Sequence, residues 1–215
     1  MKKMIKDYIE KDVKLEKERK IGVILLVITF AGLFGWIYEV LFYYMNSGFK
    51  EIYWRGGNFL PWINIYATGS VMIILLSYKY RKNPLIVFLI AFISTGLLEY
   101  FSGWVIYEFF GGLRLWDYNT EILNFGNIGG FVCLRSVGFF GLSSLILMYL
   151  MVPFCIFLSR KLNKKVFLTI SIILFSLFMF DELYNLIIAR VFSLPRATDV
   201  YKNIGIPYMK YYRYK

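Results

Sequence analysis

The sequence predicts an all-α, polytopic transmembrane helix bundle of about five spanning helices, preceded by an N-terminal cytoplasmic amphipathic helix. Three observations predict it. Hydrophobic residues make up 59% of the 215 positions and aromatics alone 20%, against roughly 45–50% apolar residues in a soluble domain. Those residues are gathered into long uninterrupted runs. Lysine and arginine, which bring the net charge to +11, crowd into alternate segments between the runs. A disordered chain needs low hydrophobicity, and a soluble globule of this size cannot hide so much apolar surface.

Residues 1–20 are charged, with Met4, Ile5, Tyr8, Ile9 and Val13 at helical spacing. They read as a short helix lying on the membrane surface. The segment lacks the apolar core and small-residue cleavage site of a signal peptide. Five apolar runs follow, at 21–45, 59–78, 84–110, 130–158 and 166–189. Each reaches the roughly 20 residues that cross a hydrocarbon core as a helix. They are continuous rather than alternating, which argues against a barrel. The transmembrane domain is therefore expected over 21–189, with a basic, aromatic tail at 190–215 as an interfacial anchor.

Orientation follows from the basic residues. The first 20 positions hold eight, the segment after the second run holds Lys79, Arg81 and Lys82, and the segment after the fourth holds Arg160, Lys161, Lys164 and Lys165. The alternate segments hold only Lys50 and Arg55, then Arg114. The N-terminus is thus expected in the cytoplasm of a plasma-membrane protein, with 46–58 and 111–129 outside. The tail disagrees: its six basic residues would lie outside after five spans. In this setting the basic charge meets anionic lipid, and no nucleic-acid-binding motif accompanies it.

Several chemistries are excluded by composition. The chain contains no histidine, which removes Ser-His-Asp and Cys-His nucleophiles, haem ligation by histidine and most zinc chemistry. Cys133 and Cys155 lie in one apolar run. On a continuous helix they would be about 33 Å apart, beyond disulfide reach. Neither cofactor nor metal is expected, because the carboxylates lack the tight spacing of a calcium or magnesium loop.

Charged groups within spans are costly and mark functional candidates. Placed by depth, Glu39, Glu99, Arg135, Asp181 and Glu182 all fall in the outer half. Helical phase puts Gly32, Gly35 and Glu39 on one face, Thr95, Glu99, Ser102 and Gly103 on another, and Asp181 with Asn185 on a third. Glu108 lies about 180° from Glu99 and is set apart. Four carboxylates against one arginine suggest a polar site for a small or lipid-linked substrate. The bland alternative is that Arg135 staples helices and Glu39 snorkels. The outer loops add Arg55, Asn58, Asn64 and Tyr66, and the polar stretch 113–130 adds Asp117 and Asn127. That stretch reads either as a structured loop with Trp116 and Tyr118 as interfacial anchors, or as a re-entrant lid.

These same residues carry a resemblance. GWIYE at 35–39, Arg55-Gly56, Pro61-Trp62, Ile65-Tyr66, Gly69, Glu99-Tyr100 with Gly103, WDY at 116–118, and Asn127, Gly130, Cys133 and Leu134 follow in order over about residues 25–145. In this pattern the chain resembles the bacterial membrane family of "Putative ABC-transporter type IV" proteins. It departs from the family at Asn64, Ala67, Phe131 and Phe140. The resemblance implies a transporter or permease-like component. With no GxxxxGK[ST] phosphate loop in the chain, ATP-driven action would need a separate cytoplasmic ATPase, for which the loops around Arg81 and Arg160 are candidate contacts. Two alternatives stay open. One is an intramembrane enzyme using Glu99 and Asp181 as acid and base, with Arg135 holding an anion. The other is a non-catalytic membrane assembly protein. The balance stands against catalysis.

Overall fold

A computed structural model describes residues 2–11, 13–206 and 212–213. Among these residues, four helical stretches are long and apolar enough to cross a membrane, at Lys17–Asn46, Pro84–Phe109, Leu134–Lys161 and Lys164–Val191. The run expected at 59–78 behaves differently. It yields a helix α3 of only 14 residues, Asn64–Ser77, continued by a 3-10 turn at Tyr78–Tyr80. Such a helix covers about 21 Å, short of a hydrocarbon core. Gly56, Gly57 and Pro61 keep the chain before it irregular, with both glycines at positive φ.

The chain forms two compact units. The first holds residues 1–72 and 147–209, and the second holds 73–146 and 210–215. The chain passes between them within α3 and within the long stretch Leu134–Lys161.

In the first unit, α1 (Lys2–Glu10) packs against α6 (Val152–Lys161), with Tyr8 buried. The surface helix expected over 1–20 thus divides into α1, an irregular link at 13–16, and the first turn of α2 (Lys17–Asn46). Beside α2 lies α7 (Lys164–Leu183), and the two run in the same direction. Lys164 pairs with Glu16 at 2.7 Å and Glu18 at 3.2 Å near their starts, and a Cβ on Gly22 would press on the Phe167 ring at 2.6 Å. The same end is closed by the Arg19 guanidinium, which donates to the Leu162 carbonyl at 3.3 Å. Asn163 caps α7 by accepting the Lys165 N–H at 2.9 Å. Farther along, Trp62, Ala67 and Phe178 form the buried core, with Ile28, Phe175 and Met179 against it.

Two π-helical turns interrupt this unit. The one at Leu147–Met151 precedes Pro153, whose missing N–H cannot complete a regular ladder. The other, Tyr184–Ile188, joins α7 to the short α8 (Ala189–Val191). After α8 the chain turns back into α9 (Ala197–Asn203). The Tyr201 hydroxyl donates to the Phe59 carbonyl at 2.5 Å, so α9 lies against loop 47–63. The remainder of the aromatic tail, 207–211 and 214–215, lies outside the described residues.

The second unit is built on α4 (Pro84–Phe109) and α5 (Leu134–Ile146). Asn83 caps α4, accepting from Leu85 and Ile86, and Pro84 takes the first helical position, where its missing N–H costs nothing. The buried stripe of α4 is Val87, Ala91, Thr95, Glu99 and Gly103, one residue every four. Small residues there allow close approach; a Cβ on Gly96 would meet Val137 at 2.9 Å, and one on Gly141 would meet Phe88 at 2.5 Å. The rest of α4 presents Leu89, Ile93, Leu97 and Phe101 outward, as a lipid-facing helix must. A two-residue strand β1 (Leu113–Arg114) pairs antiparallel with β2 (Tyr212–Arg213).

Candidate functional site

Each unit carries a buried carboxylate on a spanning helix, met by an irregular loop that folds back along that helix. In the first unit the helix is α7 and the loop is 47–63. Asp181 lies ten residues before Val191, about 15 Å along the helix. Its Oδ1 accepts the Phe59 N–H at 3.0 Å and the Asn185 amide at 2.9 Å. Its Oδ2 accepts the Leu60 N–H at 2.7 Å and the Trp62 indole N–H at 3.1 Å. Neighbouring Glu182 accepts the Asn58 amide at 2.7 Å, and Asn58 also donates to the Trp62 carbonyl at 3.3 Å. Asn185 sits in the π turn, where it also donates to the Asp181 carbonyl and accepts the Ala197 N–H at 2.7 Å. It thereby ties α9 to the same point.

Glu39 lies nearer the end of α2 and pairs with Arg55, at 2.8 Å to both Nε and Nη2. The Arg55 guanidinium lies 3.9 Å from the Tyr43 ring centroid. Tyr66 packs on Gly35, where a Cβ would overlap its ring, and against Tyr38 edge-on at 6.3 Å. The GWIYE and IY motifs are thus one packing contact between α2 and α3.

In the second unit the helix is α4 and the loop is 110–133. Glu99 stands ten residues before Phe109, again about 15 Å from the helix end. Its Oε1 accepts the Tyr118 hydroxyl at 2.5 Å and its Oε2 accepts the Ser136 hydroxyl at 2.7 Å. Burial beside Glu99 pushes the Tyr118 phenol well above its usual range, so it remains a donor. Arg135 pairs with Glu121 at 2.5 Å and lies 5.2 Å from the Tyr118 ring centroid. Asp117 accepts the Asn119 N–H at 3.0 Å and pairs with Arg114 at 3.4 Å. Asn127 donates to Asn119 and accepts the Gly130 N–H, each at 2.8 Å.

The sequence reading set four carboxylates against Arg135. In the structure Arg135 and Glu39 have their own ion-pair partners, Glu121 and Arg55. Among the described residues, no lysine or arginine lies within ion-pair distance of Glu99, Asp181 or Glu182. Asp117 and Asn127 organise the loop itself, and Glu108 is exposed, apart from Glu99. Sequence reasoning missed Glu121, Ser136 and the indole of Trp62. Glu121 was the one findable from pattern, as an acid without a nearby base in a loop that adjoins Arg135. Trp116 and Tyr118 also differ from interfacial anchors. The Trp116 indole donates inward to the Phe131 carbonyl at 2.8 Å, and Tyr118 is buried. No group of three or more cysteine, aspartate or glutamate residues among the described ones could hold a metal ion.

Apolar helices of spanning length with charged groups held inside them define a multi-pass membrane protein. The sequence profile of the family described as "Putative ABC-transporter type IV" matches residues 26–186, and the chain belongs to that family. No curated protein and no solved structure matches the chain.

Proposed function

We propose that the chain is the membrane component of a transporter, with substrate-handling polar groups in the outer half of the membrane and an N-terminus in the cytoplasm. One observation carries this reading. Glu99 and Glu182 are buried within spanning helices and engaged by neutral donors. An ionisable group inside a spanning segment is costly to bury and marks a functional candidate. Carboxylates kept there on neutral partners can still take up a cationic group or a proton. The alternation of basic segments supports the orientation. Energy for transport would come from a separate cytoplasmic ATPase, met by the basic loops around Arg81 and Arg160.

The test is purification of the tagged full-length chain from its native membrane in mild detergent, with mass spectrometry of what is retained. A stoichiometric ATPase is the expected result, and Glu99→Gln should then abolish ATP-coupled flux while the complex stays assembled. A chain isolated alone would overturn the ATPase-coupled reading. A second reading, an intramembrane enzyme, is favoured by the Ser136 hydroxyl donating to Glu99. Turnover by the purified chain without any ATPase would establish it.

A further inference from the structure

The loop 119–130 has an unusual surface. Its only charged residue is Glu121, which is buried against Arg135. Two of its polar side chains are tied back onto the loop, Asn124 donating to the Tyr118 carbonyl at 2.9 Å and Asn127 to Asn119 at 2.8 Å, while Asn119 and Thr120 stay exposed at its start. Ile122, Leu123, Phe125 and Ile128 point outward instead, with Phe125 and Ile128 each 58% exposed. Four large apolar side chains thus share a loop surface on which polar groups ordinarily predominate in water.

Depth can be read from the helix beside it. The Leu134 N–H, first of its helix, donates to the Phe125 carbonyl at 3.0 Å. The stretch Leu134–Lys161 has 28 residues and is about 42 Å long, against a hydrocarbon core about 30 Å thick. Centred, its first residue stands about 6 Å beyond the hydrocarbon edge, among the headgroups. Phe125 is bonded to that residue. Leu134, with an exposed side chain of its own packed beside Gly126, extends the apolar surface onto the helix.

We propose that Ile122, Leu123, Phe125 and Ile128 form an apolar fingertip seated in the interfacial zone of the adjoining lipid leaflet. The loop meets the requirements for that position. Its backbone is closed on itself by the Ile128–Val132 bridge and the Phe131 N–H to Ile128 carbonyl bond at 3.1 Å. It also offers no exposed charge to repel or be desolvated. The fingertip fixes the loop from outside while Tyr118 and Ser136 hold it to Glu99 from within.

The test uses the full chain in phosphatidylcholine nanodiscs. Phe125→Cys is labelled with an environment-sensitive fluorophore; Cys133 and Cys155 are buried, and the unmutated chain measures their background. Lys11→Cys, just past the end of α1 and with its side chain exposed, serves as the aqueous control. The expected result is blue-shifted emission at position 125, quenching by acyl-chain doxyl lipid, and loss of the iodide quenching seen at position 11. Iodide quenching equal to the control would overturn the proposal. Protection from both quenchers would overturn it too, since protein rather than lipid would then cover the loop. Ile128→Cys repeats the measurement should Phe125→Cys fail to fold.

Discussion

The two loop-and-carboxylate clasps hold a buried acid with different donors, and the difference bears on which acid can change its protonation state without losing its bonds. Around Asp181, two donors are backbone N–H groups, one is an indole and one an amide. The N–H groups and the indole cannot turn round and accept, and the Asn185 amide oxygen is already held by the Ala197 N–H. Around Glu99, both donors are hydroxyls, and a hydroxyl accepts as readily as it donates. The first clasp therefore demands an acceptor on both oxygens, which only a carboxylate supplies. The second tolerates a change of protonation or chemistry at its centre without losing its bonds. Asp181 is built as a fixed anchor for loop 47–63, and Glu99 as a group whose state can change.

The sharpest test of this contrast is a pair of isosteric substitutions. In Asp181→Asn the new NH2 must face donors in either orientation, and a loss of about 3 kcal/mol or more is expected. In Glu99→Gln the amide can donate to Tyr118 or Ser136, and the loss should stay within about 1 kcal/mol. Thermal unfolding of both variants in detergent compares them directly, and equal losses would break the distinction. Next in size is Gly130→Ala. Gly130 has φ +77°, and an added Cβ would meet Asp117 Oδ1 at 2.5 Å and crowd Arg114 and Asn119. About 2–3 kcal/mol should be lost, read as earlier proteolysis within 110–133 and not within 47–63.

Tyr118→Phe removes one of two hydroxyls from Glu99, and about 1–2 kcal/mol is expected. Because burial raises the Tyr118 phenol, its contribution is present at neutral pH and should not fade as the medium is raised toward the ordinary tyrosine range. Stability of wild type against Tyr118→Phe at pH 7 and pH 9.5 checks this; a gap that closes at the higher pH would contradict it. The smallest effect falls at the start of α9, one bond removed from Asp181 through Asn185. Asp199 accepts the Arg196 N–H at 3.1 Å, and that bond holds its carboxyl below the usual value. A lowered acid stabilises above its unfolded pKa, so the contribution is complete at neutral pH and fades as pH falls through its own lower value. Asp199→Ala should speed amide exchange in α9 at pH 7, with the difference from wild type shrinking in strong acid.

Much of this molecule is legible without coordinates. Four of the five apolar runs become helices of spanning length, because continuous apolar sequence satisfies its backbone in lipid only as helix. The fifth differs since Gly56, Gly57 and Pro61 shorten it, and all three stand plainly in the sequence. The buried charges were equally visible as costly residues in apolar surroundings. Their partners were not. Glu121 reaches Arg135 across 14 residues, and Asn58 reaches Glu182 across 124. No local periodicity encodes such distances.

The sequence by itself determined the class of protein, its spanning segments and which side chains would be expensive to bury, because each depends on composition and short-range pattern. Only the tertiary structure decided that Asp181 faces donors that cannot reverse and Glu99 faces donors that can. The donors arrive on loops folded back about 15 Å beside the helices, and where a loop returns to is set by the packing of the whole unit.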